Sequence, residues 1–338
     1  MKSPGAAGKS KFPIYWVIWY FMLAFAWPSF GFCLEPSTLV NRPKPLKTKN
    51  VIILVIDGIR YSETWGKVPG IIPNLYNTMQ PRGTFYSNFL NDSLTYTNAG
   101  HTAITTGVWQ VIDNFGAELP ANPSFFQQWL KQTGKPAKAA WLICSKDKLN
   151  ILANTLNPEW QNKFLPSFNC GVNGPGTGYR ADSLTLIAVK QILTADKPNL
   201  VLINFMEPDG YAHAGNWNKY LRGIANDDRY AKQLWDFLQK DKFYRKTTAL
   251  FITTDHGRHL DNVDGGFVDH GDNCEGCQHI SLLALGPDFK KGQIVAERHT
   301  LLDISTTVAR LMGFEFSQSR GKVLKELFPA KTVKQLGI

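Results

Sequence analysis

Long apolar runs are missing from this chain of 338 residues: the longest, Pro13 to Trp27, falls short of the roughly 20 residues of a bilayer-spanning helix. A basic stripe is missing too. The 37 Lys and Arg against 27 Asp and Glu give a net charge of +10, but they are scattered, and the densest piece is Lys44 to Lys49. That distribution gives a nucleic-acid polymer nothing to lie along, while the excess favours approach of small anions. Cysteine is scarce at five residues, and the one Cys-x-x-Cys, Cys274 to Cys277, has no second pair to complete a four-cysteine zinc site. What the chain does have is 43% hydrophobic and 12% aromatic residues, enough for a large packed core and incompatible with disorder.

The N-terminus reads as an export signal over residues 1–33. Lys2, Lys9 and Lys11 form a positive n-region before the apolar stretch, and the small residues Ser29 and Gly31 follow it. Cleavage is expected after Gly31, with Cys33 as the second option and an uncleaved anchor as the alternative; after cleavage no stable membrane insertion is expected. Residues 34–49, rich in Pro and Lys, read as a linker into a catalytic domain over residues 50–338. In an oxidising compartment the remaining four cysteines allow two bridges, and Cys144–Cys170 with Cys274–Cys277 is the pairing with the shorter loops.

Short apolar, β-branched runs at Val51–Ile56, Lys138–Ile143, Leu200–Phe205, Ala249–Thr253 and Ile280–Leu285 alternate with helical patterns. The helical patterns are Ser124–Gln132, Asp182–Thr194, Asp227–Lys240 and Leu301–Met312. The alternation predicts an α/β fold with a central, mainly parallel sheet covered by helices on both faces. Functional side chains then collect beyond the carboxyl ends of the strands.

Three of these runs end in acidic residues or acid–histidine pairs. The first leads into Asp57-Gly58, the third into Glu207-Pro-Asp209-Gly-Tyr-Ala-His213, and the fourth into Thr254-Asp255-His256-Gly257. A further segment, Asp269-His270-Gly271, precedes the last run. Carboxylates gathered at neighbouring strand ends repel unless a cation holds them. Carboxylate oxygens mixed with imidazole nitrogens suit zinc or a similar divalent ion, and six such ligands suffice for two ions.

At these residues the chain resembles the alkaline phosphatase superfamily, closest to its nucleotide pyrophosphatase/phosphodiesterase and threonine-type alkaline phosphatase branches. Asp57-Gly58, Asp209-x-x-x-His213 and Asp255-His256-Gly257 match the family's order of motifs. The segment Thr97-Asn-Ala-Gly-His101, with Thr106-Gly107, resembles its nucleophile segment. Thr97 rather than Thr95 keeps the ten-residue step to Gly107. Ile112-Asp113-Asn114 is similar to a segment whose Asn holds a phosphate oxygen. Ser145-Lys146-Asp147-Lys148 is similar to a Lys-Asp-Arg motif whose cations bind terminal phosphate oxygens. His270 is favoured over His279 as last ligand by its His-Gly-Asp-Asn context; His101 reads as a packing or supporting residue and His259 as peripheral.

The resemblance implies two divalent ions, most readily Zn2+. Asp57, Asp255 and His256 hold the one that activates Thr97, itself a ligand; Asp209, His213 and His270 hold the other. Thr97, Asn114, Lys146 and Lys148 form the expected catalytic set, acting on a small phosphate ester through a phospho-threonine. A Cys or Ser followed by x-Pro-x-Arg, needed for the formylglycine of sulfatases, is absent. The two lysines favour a phosphomonoester. The rival readings are a type I phosphodiesterase or nucleotide pyrophosphatase, a group transferase, and a catalytically inactive binding protein on the same fold.

Overall fold

The computed structural model describes residues 45–66 and 69–338, so the export signal and most of the expected linker lie outside the described residues. In chain order the elements are β1 (Asn50–Ile56), β2 (Thr84–Leu90), α1 (Thr97–Thr106), α2 (Phe125–Thr133), β3 (Ala140–Cys144) and β4 (Ser167–Cys170). Next come α3 (Asp182–Ala195), β5 (Leu200–Phe205), α4 (Glu207–His213), α5 (Trp217–Lys240) and β6 (Thr248–Thr253). The chain closes with α6 (Glu275–Gln278), β7 (His279–Leu285), β8 (Gln293–Val295), β9 (His299–Thr300), α7 (Leu302–Met312) and α8 (Ala330–Leu336).

The strands form one sheet in the order β4-β3-β5-β1-β6-β7-β2-β8, with β9 also on β2. From β4 to β6 every pairing is parallel, whereas β7 runs antiparallel to both β6 and β2. The expected mainly parallel sheet is therefore present, with β7 reversed. β1 shows why the apolar runs are nearly continuous: Val51, Ile53 and Val55 enter one core with α1, α2 and α7, while Ile52, Leu54 and Ile56 enter a second with α3 and α5. A strand covered on both faces has no polar side to alternate with.

Several boundaries differ from the sequence reading. β2 went unread because Ser87 and Asn88 break its apolar pattern where its register against β7 shifts. β3 starts at Ala140, since Ala137–Ala139 forms a separate 3-10 turn. Helix α5 begins ten residues earlier than its periodicity suggested, where the Asn216 side chain accepts from the Lys219 amide and caps it. Lys47 and Thr48, at the end of the stretch read as linker, donate backbone hydrogen bonds to the Asp288 carboxylate.

Neither expected disulfide is formed; Cys144, Cys170, Cys274 and Cys277 are all free thiols. Cys144 and Cys170 stand opposite each other on β3 and β4. The Cys170 thiol lies beside that of Cys144 and also meets the Leu142 carbonyl at 4.0 Å.

A buried acidic group supports the helix that brings in Asp209. Asp182 accepts from the backbone amides of Met206 (2.8 Å) and Glu207 (2.7 Å), and so satisfies the open N-terminus of α4. Asp227 of α5 lies fully buried against the Asp182 carboxyl and near Glu207. Burial and those two carboxyls hold Asp227 well above the usual carboxylate range. Above about pH 4 the unfolded chain loses this proton and the folded chain keeps it, so stability falls as pH rises. Asp227→Asn is expected to stabilise the protein by about 1–3 kcal/mol at pH 8 and by less at pH 5. Denaturant unfolding at the two pH values checks this.

Candidate metal centre

The register of the parallel strands sets the site. Ile56 of β1 pairs with Phe205 of β5, and Val55 with Thr253 of β6, so Asp57, the start of α4, and Asp255-His256 emerge at one level. Because β7 is antiparallel to β6, the segment before it, which carries His270, arrives at the same end of the sheet. Gly58 has φ +64, and a Cβ there would sit 2.7 Å from Asp209 Oδ1, so glycine is required for the Asp57 turn to meet α4.

Helix α1 places Thr97 as its first residue, fully buried, over this edge. The helix lies against the β6 end so closely that a Cβ on Gly100 would come within 2.6 Å of the Asp255 carbonyl oxygen. His101, one turn on, donates from Nδ1 to the Thr97 carbonyl at 2.9 Å, and the same nitrogen lies 3.2 Å from Asp255 Oδ2. Asn204, the polar residue inside β5, donates to Asp57 Oδ2 at 3.0 Å and also meets His101 Nε2 at 3.3 Å.

The ligands expected for the first ion come together. The groups of Asp57, Asp255 and His256 offer atoms lying within 4.8 Å of one another. Asp57 Oδ1, Asp255 Oδ2 and His256 Nε2 are buried and have no hydrogen-bond partner. His256 Nδ1 donates to the Gly257 carbonyl at 2.8 Å, which leaves the Nε2 lone pair facing the two carboxylates. Three orphaned buried atoms of oxygen, oxygen and nitrogen type fit a divalent cation. The electrostatics agree: burial and the neighbouring Asp255 raise Asp57 despite Lys146. Asp255 is itself lowered, burial being outweighed by His256 and His101.

The second group differs. His213 Nε2 lies 3.0 Å from His270 Nε2 and 3.3 Å from Asp209 Oδ1, and His270 Nε2 is 3.6 Å from the same oxygen. His270 Nδ1 donates to the Thr95 carbonyl at 2.6 Å. Burial and His256 push His270 down to about 2, so its imidazole is neutral, and its Nε2 lone pair accepts from His213 Nε2. Arg258, not anticipated from the sequence, is fully buried here and donates to Asp209 Oδ1 and, at 3.3 Å, to His213 Nδ1. The donor types again fit a divalent ion, but Arg258, His213 and His270 already satisfy one another as a hydrogen-bonded chain. Its signal in the sequence was a charged residue directly after Asp255-His256-Gly257 at a buried strand end.

Lys146 joins the two groups. Its Nζ lies 2.6 Å from Asp209 Oδ2, 3.0 Å from Asp57 Oδ2 and 3.0 Å from Thr97 Oγ1. Burial opposes its charge, yet Asp209 and Asp57 hold it above the ordinary lysine range. Asp209 is correspondingly held well below the carboxylate range by Lys146, His213 and Arg258 in spite of burial. Beside Thr97, the Asn98 amide donates to Asn114 Oδ1 at 3.1 Å, and Lys148 Nζ donates to that oxygen at 3.0 Å. Thr95 instead donates its hydroxyl to the Asp272 carbonyl at 2.8 Å, away from the cage. His279 stacks on Tyr61 and meets the Ser87 carbonyl at 2.8 Å, so it packs β7 rather than joining the ligands.

Buried acids and imidazoles at the carboxyl ends of a parallel sheet define a metal-binding α/β protein. A family model described as the Metalloenzyme superfamily matches residues 97–316, and the chain belongs to that family. Among curated proteins it is 28% identical over 147 residues to a phosphopentomutase of Herpetosiphon aurantiacus, which is 43% of this chain and 34% of that one. It is 24% identical over 136 residues to a 2,3-bisphosphoglycerate-independent phosphoglycerate mutase of Haloquadratum walsbyi, 40% of this chain and 25% of the other. The chain thus spans about a third or less of the length of these relatives.

Its fold is shared with the alkaline phosphatase PafA (TM-score 0.65, 14% identity, 85% of this chain and 100% of that one). It is shared also with murine ectonucleotide pyrophosphatase/phosphodiesterase 5 (0.57, 16%, 81% and 97%). A phosphonate monoester hydrolase from Silicibacter pomeroyi is a third (0.59, 13%, 82% and 76%). No helix among the described residues is long and apolar enough to cross a membrane.

Gly100→Ala tests the seating of α1. The added methyl group must push the helix off the Asp255 carbonyl, a change expected to cost about 1–3 kcal/mol and to weaken metal retention at Asp57, Asp255 and His256. Thermal unfolding and metal analysis of the purified variant measure both.

Proposed function

We propose that the chain is an exported phosphatase that hydrolyses small phosphomonoesters through a covalent phospho-threonine on Thr97. The observation that carries the reading is the convergence on one hydroxyl: Thr97 Oγ1 has the Lys146 ammonium at 3.0 Å, on the edge where Asn114 and Lys148 meet. A phosphate dianion rewards several cations and amide donors gathered at one point, whereas a diester monoanion rewards them less. The curated relatives, a phosphopentomutase and a phosphoglycerate mutase, and the alkaline phosphatase of like fold lend support. The export half of the proposal rests on the leader read in residues 1–33.

In this reading Asp57, Asp255 and His256 hold one divalent ion and Asp209, His213 and His270 a second, Zn2+ by preference. Such ions supply Lewis-acid stabilisation of the attacking and leaving oxygens of an in-line displacement. Thr97 attacks phosphorus, its Oγ1–P bond forming as the ester P–O bond breaks; the hydroxyl proton passes to water, and the departing alkoxide takes up a proton from water. Lys146 orients the hydroxyl and offsets charge on the phosphoryl oxygens. Asn114 and Lys148 hold the remaining oxygens, and the Asn98 amide at the start of α1 fixes the Asn114 side chain. Arg258 keeps Asp209 ionised and fixes the position of His213. Attack of water on the phospho-threonine releases phosphate and restores Thr97.

With zinc present, the protein is expected to turn over p-nitrophenyl phosphate faster than bis-p-nitrophenyl phosphate; the reverse order would make it a diesterase. Thr97→Ala is expected to lose about a thousandfold or more of the activity while keeping its metal. Full activity in that variant removes Thr97 from the mechanism.

Phosphate binding gives a separate check. Burial and the nearby Lys146 bring Lys148 down to about 8, so it is charged below that pH and neutral above it. Inhibition by inorganic phosphate should weaken as pH rises through about 8, and Lys148→Arg, which stays charged, should flatten that limb.

A further inference from the structure

Beyond the catalytic edge, a second kind of ligand cluster lies in the loop between β6 and β7. His259, Asp272, Cys274 and Cys277 bring one nitrogen, one oxygen and two sulfurs within 4.8 Å of one another. His259 is only 5% exposed, and its Nε2 is buried with no hydrogen-bond partner. That nitrogen lies 3.3 Å from Asp272 Oδ1. The ring's other nitrogen donates to the Asp264 carbonyl at 2.6 Å, which puts the free lone pair on Nε2, toward the thiols. A backbone carbonyl behind the imidazole is the arrangement that orients a metal-binding histidine. Asp272 is oriented as well, its Oδ1 accepting from the Cys274 amide at 2.9 Å.

We propose that His259, Asp272, Cys274 and Cys277 bind a structural zinc ion, distinct from the ions of the catalytic edge. Two thiolates, an imidazole and a carboxylate make four ligands of the type and number that zinc takes in closed sites, and the sulfurs exclude magnesium and calcium. The missing second Cys-x-x-Cys is replaced by a histidine and an aspartate from elsewhere in the same loop.

The position gives the ion a task. The Gly257 amide donates to the Cys277 carbonyl at 2.7 Å, and the backbones pack so tightly that a Cβ on Gly257 would come within 2.0 Å of the Gly276 oxygen. The cluster therefore ties the stretch that follows His256 and carries Arg258 to the stretch just after His270. Zinc here holds both ends of the loop that presents Arg258 and His270 to the catalytic edge.

Cobalt loading of the purified, metal-stripped full chain tests this, with cobalt alone as the probe. None of the expected ligands of the catalytic edge carries sulfur. A thiolate-to-cobalt charge-transfer absorption in the wild type, retained in Asp57→Asn and lost in Cys274→Ser/Cys277→Ser, is the expected result. The zinc content of the double variant should fall by one ion per chain, and alkylation of the denatured wild type without reductant should modify both cysteines. Absence of the charge-transfer band from the cobalt-loaded wild type overturns the proposal, whether or not the variants fold. Recovery of a Cys274–Cys277 disulfide from unreduced protein overturns it too. Neither readout depends on phosphatase activity, so failure of the functional reading leaves this one standing or falling separately.

Discussion

Three carboxylates, Asp57, Asp209 and Asp255, are buried side by side at the edge of one sheet, and the surrounding structure is arranged around their mutual repulsion. Buried acids so close together stay ionised only if positive charge is brought in with them. The chain supplies part of it: Lys146 bridges Asp57 and Asp209, and Arg258 takes the other oxygen of Asp209. The supply is uneven. Asp209 is overcompensated and strongly acidic, whereas Asp57 remains raised, with an orphaned oxygen facing orphaned atoms of Asp255 and His256. The deficit of positive charge is thus localised, and it is where a divalent cation fits.

The two halves of the centre are correspondingly different in character. Around Asp57 the ligands are fully buried and carry unsatisfied atoms. Around Asp209 the imidazoles of His213 and His270 satisfy each other, and the His213 side chain is exposed. An ion in the first half completes a prepared cage; one in the second must displace a hydrogen-bonded chain.

Much of this was legible in the sequence because register converts strand ends into neighbours. Asp57, Asp209 and Asp255-His256 each follow an apolar run, and parallel pairing of β5, β1 and β6 brings such ends together without further information. Helix α1 was illegible by periodicity: it is rich in threonine and carries Gly100, which is there for close packing on Asp255 rather than for helicity. Arg258 and Asn204 were missed because their partners are distant in the chain, although a polar residue inside an apolar strand and a charge at a buried strand end were both visible. His270 was preferred to His279 on its His-Gly-Asp-Asn context, and in the fold the reversed β7 brings His270 to the strand-end edge while His279 stacks on Tyr61. The cysteines are free thiols: those of Cys144 and Cys170 lie side by side without a bond, and those of Cys274 and Cys277 gather with His259 and Asp272.

Anomalous scattering at the zinc absorption edge, from crystals grown with zinc, is the most direct test of the central claim. The account predicts an ion bonded to Asp57, Asp255 and His256 at about 2.0–2.2 Å, the ordinary range for zinc with carboxylate oxygen and imidazole nitrogen. A zinc-saturated crystal with no anomalous peak among those three residues, and with Lys146 alone neutralising Asp57, would contradict it.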